Sequence, residues 1–258
     1  MSELHSLSRA VAVVPARGGQ PAVAAEETVA EAEGCAIVVG ERAADAATVL
    51  SSVRRSWWHE TGAGLRPATL AAALAARLER VPLVLLPASP DGRDLAPRLA
   101  ATLDRPLLAY AMHAEYDGDA GVVHAEVARL DDRLSVPVEV AGPAVVTLVP
   151  GCRTAPQVEP LAPPVELHLD KVAATDVEVE AVVDPDPATM DLSESTRVVA
   201  GGAGLAPPGT DDSTARATYR LLVDVATALG ATAGATRVVT DAGWMDHDRQ
   251  IGTTGATV

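Results

Sequence analysis

The chain contains no phenylalanine, two cysteines, three tryptophans and three tyrosines among its 258 residues. So few aromatics offer no stacking platform of the kind that single-stranded nucleic acids need. Basic side chains are also scarce, with 20 Lys and Arg against 35 Asp and Glu and a net charge of −15. A field of that sign repels phosphate backbones and anionic lipid, so neither nucleic acid nor a membrane surface is an expected partner. Cys35 and Cys152 stand far apart with no CxxC and no His cluster beside them. That excludes a disulfide scaffold and a thiolate zinc site, and it suits a reducing compartment. The six His residues, at 5, 59, 113, 124, 168 and 247, contain no HxxxH or HxH pair, so no metal centre is expected. No uncharged apolar run reaches the about 17–25 residues of a membrane helix. The first residues, with Glu3 and His5 ahead of a short apolar stretch, lack the basic head and long apolar centre of a signal peptide. These absences predict a soluble, cytoplasmic protein without membrane insertion.

What is present is an alternation of short β-branched runs with Ala/Leu-rich amphipathic stretches, which predicts an α/β fold built on a largely parallel sheet. Ala10–Pro15 reads as a buried strand, Ala22–Glu33 as a helix stopped by Gly34, and Cys35–Val39 as the next strand. Leu70–Leu78 is a helix, Leu83–Leu86 a strand, and Asp94–Leu103 a helix with Leu95, Leu99 and Leu103 on one face. From Val122 to Val183 five strand-like runs (Val122–His124, Val136–Val140, Ala144–Val149, Val165–Leu169 and Val177–Val183) follow one another without a helical pattern, which predicts an antiparallel extension of the first domain. Asp184-Pro185-Asp186-Pro187 continues neither helix nor strand and sets the expected boundary between a domain over 1–187 and a second over 188–258. There Thr196–Ala200 reads as a strand, Thr214–Leu229 as a helix and Val238–Asp241 as a strand. Residues 191–258 carry only −3 of the charge, leaving −12 to residues 1–190, so the second domain is the less hostile one to an anionic ligand.

Four segments are able to carry chemistry. Thr196–Gly204 ends an apolar strand in Gly201, Gly202 and Gly204, where the backbone can approach a phosphate closely; a plain turn is the alternative, since Leu205–Asp211 separates the glycines from the helix. In Gly234–Trp244, Arg237 opens an apolar strand and either pairs with a carboxylate such as Asp241 or faces an anionic ligand. Gln250-Ile251-Gly252-Thr253-Thr254-Gly255 is small and hydroxyl-rich, suited to lie against a flat ring and donate hydrogen bonds to it, or else to be a tail. Ser89–Arg98 follows a strand at the position where open α/β sheets dock ligands, and a polar helix start accounts for it equally well. No GxSxG occurs, neither cysteine has a base beside it, and Trp57-Trp58-His59 reads as a packing or subunit-contact patch.

Taken in order, these motifs resemble the alpha subunit of the electron transfer flavoproteins, the FixB-like family. Ser89–Arg98 followed by Leu99-Ala100-Ala101 looks like the GRDLAPRLA segment of the family's first domain, and Ala144–Gly151 like the stretch that closes it. Asp191–Leu205 is similar to the strand and glycine loop that open the flavin domain, and Gly234–Trp244 and Gln250–Gly255 match the GASRxxxDAG and QxGxTG signatures in order and spacing. The resemblance implies an N-terminal nucleotide-binding-like parallel α/β domain with an antiparallel extension, then part of an FAD-binding α/β domain. It implies an electron carrier and not an enzyme with its own substrate: FAD as cofactor, a beta subunit as partner, and flavin or nicotinamide dehydrogenases as electron donors. It further implies that Gly201, Gly202, Gly204, Thr236, Arg237, Gln250, Ile251, Gly252, Thr253 and Thr254 bind the cofactor, with Arg237 near the flavin ring. A fixed cation and hydroxyl donors there would favour the reduced, more negative ring over the oxidised one.

Two departures accompany the resemblance. Ala203 stands where the family's glycine loop carries Arg, and Thr253 where Gln is common. Family members also continue past the QxGxTG loop through a further strand and a glycine-rich turn, whereas this chain stops at Val258. The expectation is therefore either a truncated sequence or a diverged member with weakened or lost FAD binding. Diverged pairs of this kind accompany actinobacterial redox systems such as those using mycofactocin, and the Ala-, Val- and Arg-rich composition fits that source. The alternatives are a nucleotide-dependent α/β oxidoreductase and a cofactor-free structural subunit of a redox complex.

Overall fold

Ala10–Arg17 (β1) is buried at every position but the last. A strand that hides both faces must lie inside a sheet covered by helices on both sides, which is the parallel α/β arrangement. The structure, a computed structural model, describes residues 9–130, 133–170, 172–177, 180, 181, 183, 186, 189–192, 195–252, 255 and 256. The chain divides into two units, residues 1–180 and 181–258.

In the first unit β1 is followed by β2 (Gln20–Pro21), α1 (Ala25–Glu31), β3 (Cys35–Gly40), α2 (Ala43–Val49), β4 (Arg55–Glu60), α3 (Pro67–Leu78), β5 (Leu83–Pro87) and α4 (Pro90–Leu103). Then come β6 (Leu107–Asp117), β7 (Val122–Arg129), β8 (Leu134–Ala141), β9 (Ala144–Leu148) and β10 (Val165–Glu166). The strands lie in the order β10-β4-β3-β1-β5-β9-β6-β7-β8, with β2 folded back along β1. All neighbours from β10 to β6 are parallel, and β6-β7-β8 is antiparallel. Chain order reverses between β1, which leads through β3 to β4, and β5, which leads away on the other side.

The two faces of the sheet bury different helices. Val14, Val38, Leu85 and Val146 pack with Ala25 and Val29 of α1 and Ala43 and Ala46 of α2. Val13, Ile37, Leu86 and Val145 pack with Leu70 and Leu74 of α3 and Leu95 and Leu99 of α4. Neighbours in sequence thus serve opposite cores, as the two-residue strand period demands. Where β6 outruns β9, the buried Glu31 of α1 caps the bare edge: it accepts from the Ala114 N–H at 2.7 Å and pairs with His113 at 2.6 Å and with Arg153.

The α/β fold with its parallel-dominated sheet is the one the sequence predicts, and several elements within it differ. Only β7 and β8 extend the sheet antiparallel to their neighbours; β9 returns to a parallel position between β5 and β6, and β10 pairs parallel with β4 at the far edge. A chain that leaves a sheet by hairpins can re-enter it, and the run of β-branched residues does not record which neighbour it finds. Val177–Val183 lies partly outside the described residues, and its described members form no strand; Asp184, Pro185 and Pro187 also lie outside. Trp57 and Trp58 lie in β4 and pack into opposite cores by strand alternation, so the packing alternative for this pair holds.

The second unit contains β11 (Val198–Gly201), a 3-10 turn over Ala203–Leu205, α5 (Asp212–Ala228), β12 (Thr232–Thr236), α6 (Arg237–Asp241), a second 3-10 turn over His247–Arg249 and β13 (Gln250–Ile251). β11-β12-β13 is a parallel three-stranded sheet with β12 central. The expected strand at Val238–Asp241 is instead a helical turn, and the strand lies before it in the small residues Thr232-Ala233-Gly234-Ala235-Thr236. Crowding explains the choice: a Cβ on Gly234 would come 2.9 Å from Ile251 and 3.2 Å from Val198, its neighbours on either side. Val239 and Thr240 are buried by the turn that follows, so a β-branched run here supplies core contacts from a helix.

Candidate functional site

Parallel strands end at the same edge of their sheet, and register decides which residues meet there. In the second unit Gly201 is level with Ala235, and Thr236 is level with Ile251. Three segments separated by dozens of residues in sequence therefore leave the sheet side by side: Gly201–Gly204, Thr236–Arg237 and Gln250–Gly252. The sequence-predicted residues that lie within the described structure are all in these three exits. Thr253 and Thr254 lie outside the described residues.

Each exit is held from behind. Tyr219 of α5 is almost fully buried and donates its hydroxyl to the Gly202 carbonyl at 2.8 Å. Burial pushes its phenol pKa up, so it remains protonated. Its ring stacks on Trp244 with centroids 5.8 Å apart and planes 17° from parallel, and the Trp244 indole donates to Asp212 at the start of α5 at 2.8 Å. The bonds from Arg216 and Trp244 hold the Asp212 carboxyl below the usual carboxylate range. Thr240, buried in α6, is 3.0 Å from the Arg237 carbonyl and 2.8 Å from the Gln250 side chain, tying the second exit to the third. Ile251 pairs with Ala256, and Ala256 donates to the Gln250 carbonyl at 2.8 Å, so the described part of the last segment folds back upon itself.

The front of the site is rich in donors. Among the described residues, the N–H groups of Ala203 and Gly204 meet no hydrogen-bond partner. The Thr236 side chain is exposed beside Gly202, whose added Cβ would come 3.9 Å from the Thr236 hydroxyl oxygen and methyl group. Arg237 bonds Asp241 through Nε at 3.2 Å, in a pair that is 64% and 52% exposed. So open an ion pair holds the guanidinium only weakly, and its terminal nitrogens meet no partner among the described residues. The glycines differ from one another. Gly201 is buried, and a Cβ on it would come 2.7 Å from Leu222, 2.9 Å from Leu205 and 3.3 Å from Tyr219, whereas one on Gly204 or Gly252 would meet no described residue within 4 Å. Backbone amides, a hydroxyl and a guanidinium with no buried carboxylate among them suit a ligand made of acceptors, such as phosphates and ring carbonyls.

The first unit presents the same kind of edge already filled. At the switch point between β1 and β5, Arg17 grips Asp91 of α4 with two bonds of 2.6 and 2.5 Å. Glu41 accepts from the Gly18 N–H, Glu60 from the Ala43 N–H, and Ser89 caps the Gly92 N–H. The Ser89–Arg98 segment is thus a capped helix start with its first carboxylate spoken for. A separate hollow of about 510 Å³ over β6–β8 is rimmed by Glu115, Glu126 and Glu139 with His113 and His124, the wrong sign for an anionic ligand. Among the described residues no group of three or more His, Cys, Asp or Glu is set to hold a metal ion. No helix there is long and apolar enough to cross a membrane.

Sequence reasoning did not find Tyr219, Thr240 or Asp212 as parts of this site. In the sequence Tyr219 is one apolar residue of the α5 helix and Thr240 one residue of a β-branched run, and neither position by itself marks a site.

The fold and this edge define an α/β protein whose second unit ends its parallel strands in donors suited to a ligand made of acceptors. Residues 17–186 match the electron transfer flavoprotein domain, and residues 191–258 match the electron transfer flavoprotein FAD-binding domain. Among similar proteins, the electron transfer flavoprotein subunit alpha of Syntrophomonas wolfei is 32% identical over 173 residues, covering 65% of this chain and 50% of the relative. The subunit of the same name from Mycobacterium leprae is 30% identical, covering 68% and 52%, and protein FixB of Bradyrhizobium diazoefficiens is 30% identical, covering 68% and 47%. The chain belongs to the electron transfer flavoprotein alpha-subunit, or FixB-like, family. It spans about half the length of the curated relatives it matches. The match over 191–258 gives FAD as the cofactor, and the donor-rich front of the site fits FAD's phosphate and carbonyl acceptors.

Proposed function

We propose that the chain works as the alpha subunit of an electron transfer flavoprotein, carrying electrons by way of FAD between dehydrogenases and a downstream acceptor, in complex with a beta subunit in the cytoplasm. The observation that carries this reading is that, among the described residues, the amides of Ala203 and Gly204 and the terminal nitrogens of Arg237 meet no protein partner at the ends of two neighbouring parallel strands. In the reading, Gly202, Gly204, Thr236, Arg237 and the segment Gln250, Ile251, Gly252, Thr253 and Thr254 contact the cofactor, and Gly201 lets the strand end lie close against α5. FAD supplies reversible acceptance of electrons; the protein supplies orientation and charge. Arg237 and the hydroxyls favour the form of the cofactor that carries more negative charge, because a fixed cation gains more from an anion than from a neutral ring. No general acid or base and no activated nucleophile is required of a carrier, and none is invoked.

The further expectations follow from the same reading. Residues 1–187 would serve partner contacts and residues 188–258 would hold FAD. The acidic first part of the chain suits a basic docking surface on the beta subunit or on a dehydrogenase. A mycofactocin-linked redox system is a narrower form of the proposal and rests on composition. The test is reconstitution of the purified chain with FAD and a beta-type subunit, followed by gel filtration. Flavin absorbance travelling with the protein is the expected result; its absence, with the protein folded by circular dichroism, would remove the proposal.

A further inference from the structure

We propose that Tyr219 is a positioning residue that aims the glycine turn at the cofactor, an inference that rests on the flavin reading above. The argument begins with one peptide bond. The Gly202 carbonyl accepts from the Tyr219 hydroxyl at 2.8 Å and from the Leu205 N–H at 3.2 Å. A trans peptide is planar, so its carbonyl and the N–H of the next residue point in opposite directions. Holding the Gly202 oxygen inward on a buried phenol therefore turns the Ala203 N–H outward, and that N–H has no partner among the described residues. On the Gly202 side no Cβ restricts ψ, so this peptide is freer to turn than one between two residues that both carry side chains. Tyr219 removes that freedom before any ligand arrives, which is the cheapest stage at which to remove it.

The hydroxyl itself is held firmly. Tyr219 is 1% exposed, its ring lies 3.3 Å from where a Cβ on Gly201 would sit, and it is stacked on Trp244, which is bonded in turn to Asp212. Trp244 follows the turn that begins at Arg237, so one stacked pair fixes the spacing between the glycine exit and the arginine exit. The phenol hydroxyl is committed to the backbone of the site, which is why its role is positioning.

Tyr219→Phe isolates the claim, since it keeps the ring, the stack and the packing and removes one oxygen. In the flavin-free full chain, amide exchange of Leu205 and Ala206 should quicken about fivefold, the ratio that corresponds to a neutral hydrogen bond of about 1 kcal/mol. Exchange along α5 and β12 should stay as in the parent; a merely structural role would quicken it there as well. The same variant should bind FAD about fivefold more weakly in a flavin-fluorescence titration, again the worth of one such bond. Unchanged exchange at Leu205 together with parental FAD affinity would overturn the inference, and so would exchange quickened uniformly through the unit. If neither protein takes up FAD, the flavin reading fails, while the exchange data still decide whether Tyr219 holds the turn.

Discussion

The two units end their parallel strands in opposite ways. In the first, polar groups at the carboxyl edge are answered from within: Arg17 by Asp91, Gly18 by Glu41, Ala43 by Glu60 and Gly92 by Ser89. In the second, the amides of Ala203 and Gly204 are left without partners among the described residues, and Arg237 is held only by an exposed carboxylate. Open α/β sheets bind ligands at this edge as a matter of geometry, so the layout alone would make either unit a candidate. The difference lies in who satisfies the donors. A buried or half-buried donor must find an acceptor somewhere, and a unit that supplies its own acceptors has no work left for a ligand.

The largest effect expected from breaking this comparison falls on the filled edge. Gly40 has φ +141°, and a Cβ there would sit 2.0 Å from the Ala16 carbonyl oxygen of the neighbouring strand. Gly40→Ala should therefore cost about 3 kcal/mol, the upper part of the usual range for single substitutions, because backbone must move. Urea denaturation followed by far-UV circular dichroism would measure it. Gly202→Ala is the counterpart at the open edge. Its new methyl would meet Thr236 at an ordinary 3.9 Å, so stability should change by no more than about 0.5 kcal/mol. Equal losses in the two variants would contradict the contrast.

Next in size is the pair of arginines. Arg237→Ala should weaken FAD binding by about tenfold or more, since a hydrogen bond to a charged group is worth about 1.5–3 kcal/mol. Stability should barely change, because the exposed Arg237–Asp241 pair contributes little. Arg17→Ala should leave FAD binding untouched, as its guanidinium is committed to Asp91, whose bond raises the Arg17 pKa. Titration of both variants with FAD decides the matter; parental affinity in Arg237→Ala would favour a cofactor-free structural subunit.

Much of this arrangement was legible in the sequence where a pattern is long. Leu95, Leu99 and Leu103 gave α4, and the unbroken apolar runs gave β1, β3 and β5. Motif order singled out Gly202, Thr236, Arg237 and Gln250, which the strand register brings to one edge of the second sheet. The rest was hidden for separate physical reasons. Strand β6 was missed because Tyr110 adopts φ +68° where the register shifts, which breaks the alternation in the middle of the strand. Strand β12 was not read, and a strand was expected after it at Val238–Asp241, because a crowded central strand needs small residues and composition cannot report crowding. Tyr219 and Thr240 looked like core because they are core: each puts a ring or methyl into the packing and only one oxygen toward the site. A buried hydroxyl within an apolar face is the single signal that could have marked them.

The smallest expected effect concerns pH and concerns only the open unit. Asp211 caps α5, and bonds from the Ser213 and Thr214 hydroxyls and the Thr214 N–H hold its carboxyl far below the usual carboxylate range. Asp212 is lowered too, by Arg216 and Trp244. A depressed folded pKa means that the unfolded chain takes up protons first as the solution is acidified. The stabilisation is therefore complete above the ordinary Asp value of about 4 and fades as pH falls below it. Both groups lie at the solvent-exposed start of the helix, so the loss should be gradual and modest. Asp211→Asn retains a capping acceptor without the titration. In urea melts at pH values from about 5 down to 2, spanning the range below the ordinary value, the variant should show a shallower acid limb than the parent. Trp244 fluorescence offers a local reporter, because its indole is bonded to Asp212. Parallel acid limbs in the two proteins would mean that the acid sensitivity of this unit arises elsewhere, and that the first turn of α5 is not the device that steadies the stacked pair behind the glycine exit.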